Sequence, residues 1–216
     1  MGWLEFKRIP REEGGIMMQT KIYSVVTVII LSIFLAGGNA FGVSEAFKQN
    51  IYNPGQLKAT DSTLKVKTGD MAPDFTLPSI HHGPVALNQY RGKKNVVLSF
   101  VPAAWTPVCS DQWPGYNLAK PIFEMYDAVL LGITVDNIPT LFAWTNQMGD
   151  LWFPILSDFW PHGKVADTYG ILRSDGVTER AVIIIDKKGV IRWIDVHDIN
   201  RRPPLEDIVN ALKKVQ

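Results

Sequence analysis

Residues 100–112, which read FVPAAWTPVCSDQ, decide the fold expected for this chain and contain Cys109, the single cysteine among its 216 residues. The apolar run at residues 96–101 predicts a buried β-strand, and residues 112–126 have helical character. Cys109 is therefore expected where a strand passes through a loop to the N-terminus of a helix. The unpaired backbone N–H groups and the positive end of the helix dipole at such a point favour a thiolate.

The residues around the cysteine match a known pattern. Pro102, Thr106 and Cys109 read P-x-x-x-T-x-x-C, which resembles the peroxidatic signature of the peroxiredoxins. In that family a cysteine thiolate attacks the O–O bond of a peroxide. The resemblance implies that Cys109 is the attacking residue. It also implies that the hydroxyl of Thr106 hydrogen-bonds in the site and that Pro102 shields the cysteine.

Two other interpretations of Cys109 stand beside this one. Residues 105–109, WTPVC, look like the W-C-x-x-C of thioredoxins with Thr106 in place of the first cysteine. A disulfide oxidoreductase needs both thiols, one to attack and one to release the mixed disulfide, so that chemistry is disfavoured. A free cysteine also packs like a small apolar residue, so an inert and buried Cys109 is the plainer alternative.

Strand and helix signals alternate along the rest of the chain. Apolar residues 128–135 indicate a parallel strand buried on both faces, and residues 180–185 and 190–196 indicate a hairpin around the turn DKKG. Pro114 and Pro121 predict that the helix after the cysteine is bent or in two parts. Weaker signals predict strands at 85–87 and 153–156 and helices at 138–148, 165–169 and 204–215. The sequence therefore predicts an α/β, thioredoxin-like fold with a central mixed sheet flanked by helices.

The resemblance to the peroxiredoxins extends over residues 69–196. It includes G-x-x-A-P-x-F-x-L at 69–77, V-D-N at 135–137, F-P-I-L-S-D at 153–158 and G-x-x-x-R-x-x-x-x-I-D at 176–186. The resemblance implies that Arg180 is the cation beside the thiolate. It also implies that Gln112, three residues after the cysteine, is the polar residue that holds and orients this arginine.

A cation beside the thiol is needed on energetic grounds. A free thiol is only about 3% ionised at pH 7, and an exposed helix N-terminus stabilises an anion by only about 0.3–1 kcal/mol. By the resemblance, Arg180 supplies the rest. A surface salt bridge from Arg180 to Glu179 or Asp175 is the alternative for that residue. For Thr106 the alternative is a helix cap, and for Gln112 it is a solvated position on the helix.

Composition excludes several classes of function. With 22 basic and 21 acidic residues, the chain offers no basic footprint for nucleic acid. The four histidines, among them His81 and His82, have no carboxylate or cysteine at metal-binding spacing, so we expect no metal and no cofactor. The sequence favours a thiol-dependent peroxidase that reduces hydrogen peroxide or organic hydroperoxides. The alternative from another class is a non-catalytic thioredoxin-fold binding module of the cell envelope.

The N-terminal part of the chain has the pattern of a targeting segment. Residues 22–44 carry no charge, Lys21 precedes them, and the small residues Gly38 and Ala40 stand at the end of the apolar run. This pattern is typical of a secretory signal peptide. We expect residues 1–40 to be removed on export to the periplasm or another extracytoplasmic space. The alternative is an uncleaved membrane anchor formed by the same uncharged stretch.

The remaining boundaries follow from composition. Glutamates are unusual near the start of a signal peptide, and three of them precede Met17. Translation is therefore expected to start at Met17 or Met18. Residues 41–68 are mixed and polar and are expected to form an extension with little regular structure, which wraps the domain. Residues 69–216 are expected to form that domain.

A single cysteine also decides how a catalytic cycle closes. A sulfenic acid on Cys109 has no second thiol in its own chain, so an outside thiol must condense with it and another must release it. Disulfides persist outside the cytosol, so the expected partner is an exported thioredoxin-like protein with a C-x-x-C site. The candidate docking surface consists of Trp105, Trp113 and the loop at Trp160-Pro161. A homodimer contact is the alternative role for these tryptophans.

Overall fold

The computed structural model describes residues 45–81 and 83–215, so the expected signal peptide at 1–40 lies outside the described residues. The strands are β1 Thr76–Pro78, β2 Pro84–Ala86, β3 Asn95–Phe100, β4 Ala128–Thr134, β5 Ile155–Ser157, β6 Arg180–Ile185 and β7 Ile191–His197. The helices are α1 Glu45–Gln49, α2 Pro107–Leu118, α3 Lys120–Met125, α4 Ile138–Thr145, α5 Lys164–Tyr169 and α6 Leu205–Lys213. Within these described ranges, no helix combines the length and the apolar character that a membrane span requires.

Five strands form the central sheet in the order β5-β4-β3-β6-β7. β3 pairs in parallel with β4, and β4 with β5, whereas β6 runs antiparallel to both β3 and β7. β3 and β4 are buried almost throughout, because both faces of the sheet are covered. The predicted mixed sheet is therefore confirmed. β1 and β2 form a separate antiparallel pair.

Neighbouring residues of a strand point to opposite faces of the sheet, and this alternation builds two cores. On one face, Val97 and Leu130 pack in a cluster with side chains of α2, α3, α4 and α6. On the other face, Leu98 and Leu131 pack with the β1–β2 pair and α5. The sheet is thus the middle layer of three, and its connecting loops leave from the ends of the strands.

The helix that follows β3 is in two parts, as its prolines predicted. α2 ends at Leu118 and α3 begins at Lys120. Pro121, in the first turn of α3, has no N–H with which to continue the hydrogen bonds of α2, so a new helix starts there. Pro114 lies inside α2. α2 begins at Pro107, earlier than the sequence suggested, because proline suits the first position of a helix.

The described part of the N-terminal extension follows the surface of the domain. It contains α1 and otherwise no regular secondary structure. Backbone hydrogen bonds attach it: Lys65 N–H donates to the carbonyl of Tyr169 at 3.1 Å, and Ile199 N–H donates to the carbonyl of Ala59 at 3.1 Å. Phe47 of α1 is only 1% exposed. This segment is therefore packed into the same folded body as the sheet.

Candidate active site

Cys109 lies in the first turn of α2, directly after the loop that leaves β3. The apolar strand ends at Phe100, and a loop joins it to the helix that starts at Pro107. The thiol of Cys109 is free and fully buried. Cys109 therefore lies at a helix N-terminus, where the first N–H groups have no carbonyl partner within the helix.

Thr106 is the N-cap residue of α2, but its side chain does not cap the helix. Its hydroxyl donates to the carbonyl of Ala103 at 2.9 Å. The capping alternative for Thr106 is therefore wrong. The hydrogen bond of this hydroxyl instead holds the shape of the loop that precedes Cys109.

Arg180 is the cation beside the thiol. Because β6 runs antiparallel to β3, its first residue lies at the end of β3 from which the loop to Cys109 leaves. The Nη2 atom of Arg180 donates to the Sγ atom of Cys109 at 3.4 Å. Arg180 is only 2% exposed, so the alternative of a surface salt bridge is wrong.

Gln112 lies one turn after the cysteine and is fully buried, so the alternative of a solvated position is wrong. Its Oε1 accepts a hydrogen bond from Arg180 Nη1 at 2.6 Å. Its Nε2 donates to Ser99 Oγ at 3.2 Å and to the hydroxyl of Tyr116 at 3.3 Å. Burial raises the pKa of Tyr116 far above its usual value, so this hydroxyl stays neutral.

The remaining donors of Arg180 bind a backbone carbonyl. Nε and Nη2 donate to the carbonyl of Ile199 at 3.1 Å and 3.0 Å. Glu179, which precedes Arg180, forms a salt bridge with Arg173 at 2.9 Å, and both of those side chains are buried. The carboxylate next to Arg180 in sequence therefore has another partner, because consecutive residues of a strand face opposite sides.

A carboxylate at the end of β4 holds the cysteine loop. Asp136 accepts a hydrogen bond from Ala104 N–H at 2.8 Å. The N-cap of α4 is Asn137, whose side chain accepts from Thr140 N–H at 2.9 Å. The loop that contains the buried Pro102 is thereby tied to a second strand of the sheet.

The predicted docking surface is only partly at the surface. Trp113 is fully buried and packs against Trp144 with ring centroids 5.1 Å apart, so its assignment as a docking residue is wrong. It lies on the face of α2 that covers the sheet. Trp105 is partly exposed and packs on Phe47 at 5.6 Å, and Trp160 is 82% exposed.

Three contributors to the site were not predicted from the sequence. Tyr116 follows Gln112 at helical spacing, and Ser99 is the polar residue in the otherwise apolar run 96–101, so both left a signal. Ile199 contributes its backbone carbonyl, which leaves no signal in residue type. Its place in the site could be found only from the path of the chain.

The assembled residues suit chemistry at a sulfur anion. The buried thiol lies in the first turn of α2, and an arginine N–H donates to its sulfur atom at 3.4 Å. Such donors stabilise a thiolate and also negative charge on an oxygen that approaches it. In the part of the chain that the structure describes, no group of three or more His, Cys, Asp or Glu side chains is placed to hold a metal ion.

Comparison with known proteins finds a matching family and related structures. The model of the AhpC/TSA family matches residues 68–194. Alkyl hydroperoxide reductase E of Mycobacterium tuberculosis is 39% identical over 132 residues, which cover 61% of this chain and 86% of that protein. Peroxiredoxin-2 of Mus musculus is 35% identical over 158 residues, which cover 68% of this chain and 77% of that protein. The solved structure of reduced 2-Cys peroxiredoxin from Plasmodium vivax superimposes with a TM-score of 0.65 at 27% identity, covering 68% of this chain and 81% of that one.

Proposed function

This chain belongs to the AhpC/TSA family and is a thiol-dependent peroxidase, and from that premise we propose that Cys109 is the residue that attacks the peroxide. The observation that carries this assignment is the contact of 3.4 Å between Arg180 Nη2 and the only sulfhydryl of the chain. A single cysteine fits a peroxidase of the one-cysteine type. A non-catalytic binding module is not favoured.

In the proposed step the Cys109 thiolate attacks the terminal oxygen of a hydroperoxide. The S–O bond forms as the O–O bond breaks, and the peroxide is the oxidant. The departing alkoxide or hydroxide takes up a proton to give an alcohol or water, and a sulfenic acid remains on the sulfur. Arg180 donates hydrogen bonds to the negative charge as it moves from sulfur to oxygen, without losing its own proton.

The other site residues are proposed to support this step. Gln112 orients Arg180, as their contact of 2.6 Å indicates. Thr106 and Pro102 shape the loop that shields the sulfur. Because the thiol is fully buried, we infer that peroxide enters by displacement of the partly exposed loop around Trp105 and Thr106.

Peroxide consumption in the absence of any reductant tests the assignment of Cys109. The purified protein should consume one equivalent of hydrogen peroxide per chain and lose one thiol, whereas Cys109→Ser should consume none. Met125→Leu is the control for oxidation elsewhere, because this methionine is 44% exposed, and it should behave as the wild type. If Cys109→Ser removed peroxide as fast as the wild type, Cys109 would not be the peroxidatic residue.

We propose further that an exported thioredoxin-like protein with a C-x-x-C site closes the cycle. Its first thiol condenses with the sulfenic acid, which expels water and forms a mixed disulfide with Cys109. Its second thiol then releases Cys109 and carries the disulfide away. The exposure of Trp160 and the partial exposure of Trp105 support docking there, with a homodimer contact as the competing role.

Recovery of the thiol after oxidation tests this partner. The protein is oxidised with one equivalent of peroxide and then offered a C-x-x-C protein, glutathione, a small dithiol or no thiol. Trp160→Ala should slow recovery with the C-x-x-C protein but not with the small dithiol. Phe142→Ala, which removes another exposed aromatic ring, is the control and should change neither rate. Full-speed recovery without added thiol, or an obligatory disulfide between two copies of Cys109, would exclude an external reductant.

Export is proposed on the basis of the N-terminal pattern. The uncharged residues 22–44 after Lys21 support removal of residues 1–40 as a signal peptide. N-terminal sequencing of the native protein should therefore begin at Phe41. A membrane fraction that begins at Met18 or earlier would favour the anchor, and a native protein confined to the cytosol would overturn both proposals.

A further inference from the structure

Two segments outside the residues that the family model matches contact each other beside Arg180. The strap, residues 45–61, precedes the matched residues 68–194, and the loop at 198–202 follows them. We propose that the strap positions Arg180 through this loop, and that Asn200 is the positioning residue that joins the two. The proposal rests on the peroxidase site proposed above.

The carbonyl of Ile199 sets the direction of the guanidinium. It accepts hydrogen bonds from Arg180 Nε at 3.1 Å and Nη2 at 3.0 Å. The same Nη2 atom lies 3.4 Å from Cys109 Sγ. Gln112 holds only Nη1, and a single contact leaves the guanidinium plane able to rotate. A shift of Ile199 therefore moves the nitrogen that faces the sulfur.

The strap decides where Ile199 lies. β7 ends at His197, so the sheet no longer holds the chain at the next residues. The N–H of Ile199 donates instead to the carbonyl of Ala59 at 3.1 Å. The side chain of Asn200 bonds both backbone groups of Leu57, accepting from its N–H at 2.9 Å and donating to its carbonyl at 2.9 Å. Three hydrogen bonds therefore hold the loop in a fixed position along the strap.

The strap is fixed at two further points around the site. Tyr52 N–H donates to the carbonyl of Trp105 at 2.8 Å, in the loop before the cysteine. Phe47, which is buried, packs on the ring of Trp105. Asp61 N–H donates to Oε1 of Glu179 at 2.5 Å, directly before the arginine. One segment therefore touches the cysteine loop, the strand that carries the arginine and the loop that orients it.

Asn200 makes no side-chain hydrogen bond to the site residues themselves, so a change there tests positioning and not direct contact. Its side-chain hydrogen bonds go to Leu57 and, at 2.7 Å, to Asp198, and not to Cys109 or Arg180. Any effect of Asn200 on the thiol must therefore pass through the loop and the arginine.

Substitution of Asn200 in the full chain is the test. Asn200→Ala should lower the second-order rate constant for hydrogen peroxide roughly tenfold, as expected when a hydrogen bond to a charged group is weakened. The pH midpoint of thiol alkylation by iodoacetamide should rise by about one unit, which corresponds to the same factor. Asn210→Ala, at an exposed position of α6, is the matched control and should leave both measurements unchanged.

A double variant distinguishes positioning from general loosening. In an Arg180→Ala background, Asn200→Ala should have no further effect on the rate, because the group that it positions is absent. Equal effects with and without Arg180 would overturn the proposal. So would a lower melting temperature with an unchanged rate and alkylation midpoint. If Arg180→Ala lowers the rate constant for peroxide and Asn200→Ala does not, the positioning role of Asn200 is excluded while the site assignment stands. If Arg180→Ala is itself normal, the site assignment fails with it.

A second variant, which keeps one hydrogen bond to the strap but brings a carboxylate next to Asp198, covers the case in which Asn200→Ala does not fold. Asn200→Asp keeps the oxygen that accepts from Leu57 N–H but loses the donated hydrogen bonds. Its rate should lie between that of the wild type and that of the Arg180→Ala protein. A folded Asn200→Asp protein with the wild-type rate and alkylation midpoint would overturn the proposal.

Discussion

Arg180 keeps its charge available to the sulfur because its other partners are neutral. Gln112 offers an amide oxygen and Ile199 a backbone carbonyl, and no salt bridge joins Arg180 to a carboxylate among the described residues. A buried cation without a counter-ion is unfavourable. The Sγ atom of Cys109 lies 3.4 Å from this cation, so negative charge that develops at the sulfur during the reaction pairs with it.

Replacement of Arg180 tests its contribution to the reaction at Cys109. Arg180→Ala should slow peroxide attack roughly 10- to 100-fold, the range for loss of a hydrogen bond from a charged donor, and should move the alkylation midpoint to higher pH. Arg180→Lys keeps the charge, but its ammonium cannot bind Gln112, Ile199 and Cys109 in one plane, so its rate should lie between the two. Stopped-flow kinetics measures the rate of peroxide attack in both variants. An unchanged rate and alkylation midpoint in Arg180→Ala would remove this residue from the site.

Gly132 is a constraint on packing behind the site. A Cβ atom there would lie 2.8 Å from Trp113 and 2.9 Å from Ile155. Gly132→Ala should therefore lower the free energy of unfolding by about 1–3 kcal/mol, measured by urea titration. Gly115→Ala in α2 would meet only the flexible guanidinium of Arg202, at 3.0 Å, and should be neutral or stabilising by up to about 1 kcal/mol. Equal stability of the two variants would contradict this account.

At the scale of elements, the site exists because α2 and β6 both meet the end of β3. α2 carries Cys109 and Gln112 one turn apart, on one face of the helix. β6 delivers Arg180 because its antiparallel register with β3 begins at that end. The parallel neighbour β4 contributes the carboxylate of Asp136, which ties down the intervening loop. Each element thus supplies one part of the geometry and none supplies it alone.

The short helix α5 depends on a cap from outside itself. The carboxylate of Asp158 accepts hydrogen bonds from Val165 N–H at 3.1 Å and Ala166 N–H at 2.9 Å, although burial raises the pKa of Asp158. Asp158→Ala should lower the free energy of unfolding by about 1–2 kcal/mol, the range for loss of a cap, and Asp158→Asn should lower it less. Urea titration measures this. The exposed control Asp150→Ala should match the wild type, and an equal loss there would argue against a specific cap.

Asp127 links the ends of several strands on the side of the sheet opposite the site. Its carboxylate accepts from Lys187, in the β6–β7 turn, and from Lys94, just before β3. These hydrogen bonds lower the pKa of Asp127 to about 2. Because this value lies below the ordinary value near 3.9, the stabilisation is present above about pH 4 and is lost as the pH falls toward 2.

The pH dependence of an Asp127 variant tests this contribution. Asp127→Asn should be less stable than the wild type near neutral pH, and the difference should shrink as the pH falls from about 4 to about 2. Asparagine tolerates the left-handed backbone of this residue, with φ of 50°, so the comparison isolates the charge. Both lysines are partly exposed, so the effect should be small. A difference that stayed constant with pH would contradict the assignment.

Local sequence patterns predicted the main strands and helices and the candidate for the reacting sulfur. Apolar runs predicted β3 and β4, because strands buried on two faces must be apolar throughout, and the turn DKKG predicted the β6–β7 hairpin. Pro114 and Pro121 predicted the divided helix, because proline cannot donate the backbone hydrogen bond. Cys109, as the only cysteine, left one candidate for thiol chemistry. These signals are local, because they depend on the type and spacing of neighbouring residues.

The partners around that sulfur depend on contacts between distant parts of the chain. Cys109 and Arg180 are 71 residues apart, and their contact depends on the register of β6 against β3. Trp113 was assigned to the surface and lies in the core, because a tryptophan suits either environment and only the packing of α2 selects one. Ile199 acts through its carbonyl, which every residue possesses. Its role therefore depends on where the strap and the loop place the backbone, and residue type carries no information about that.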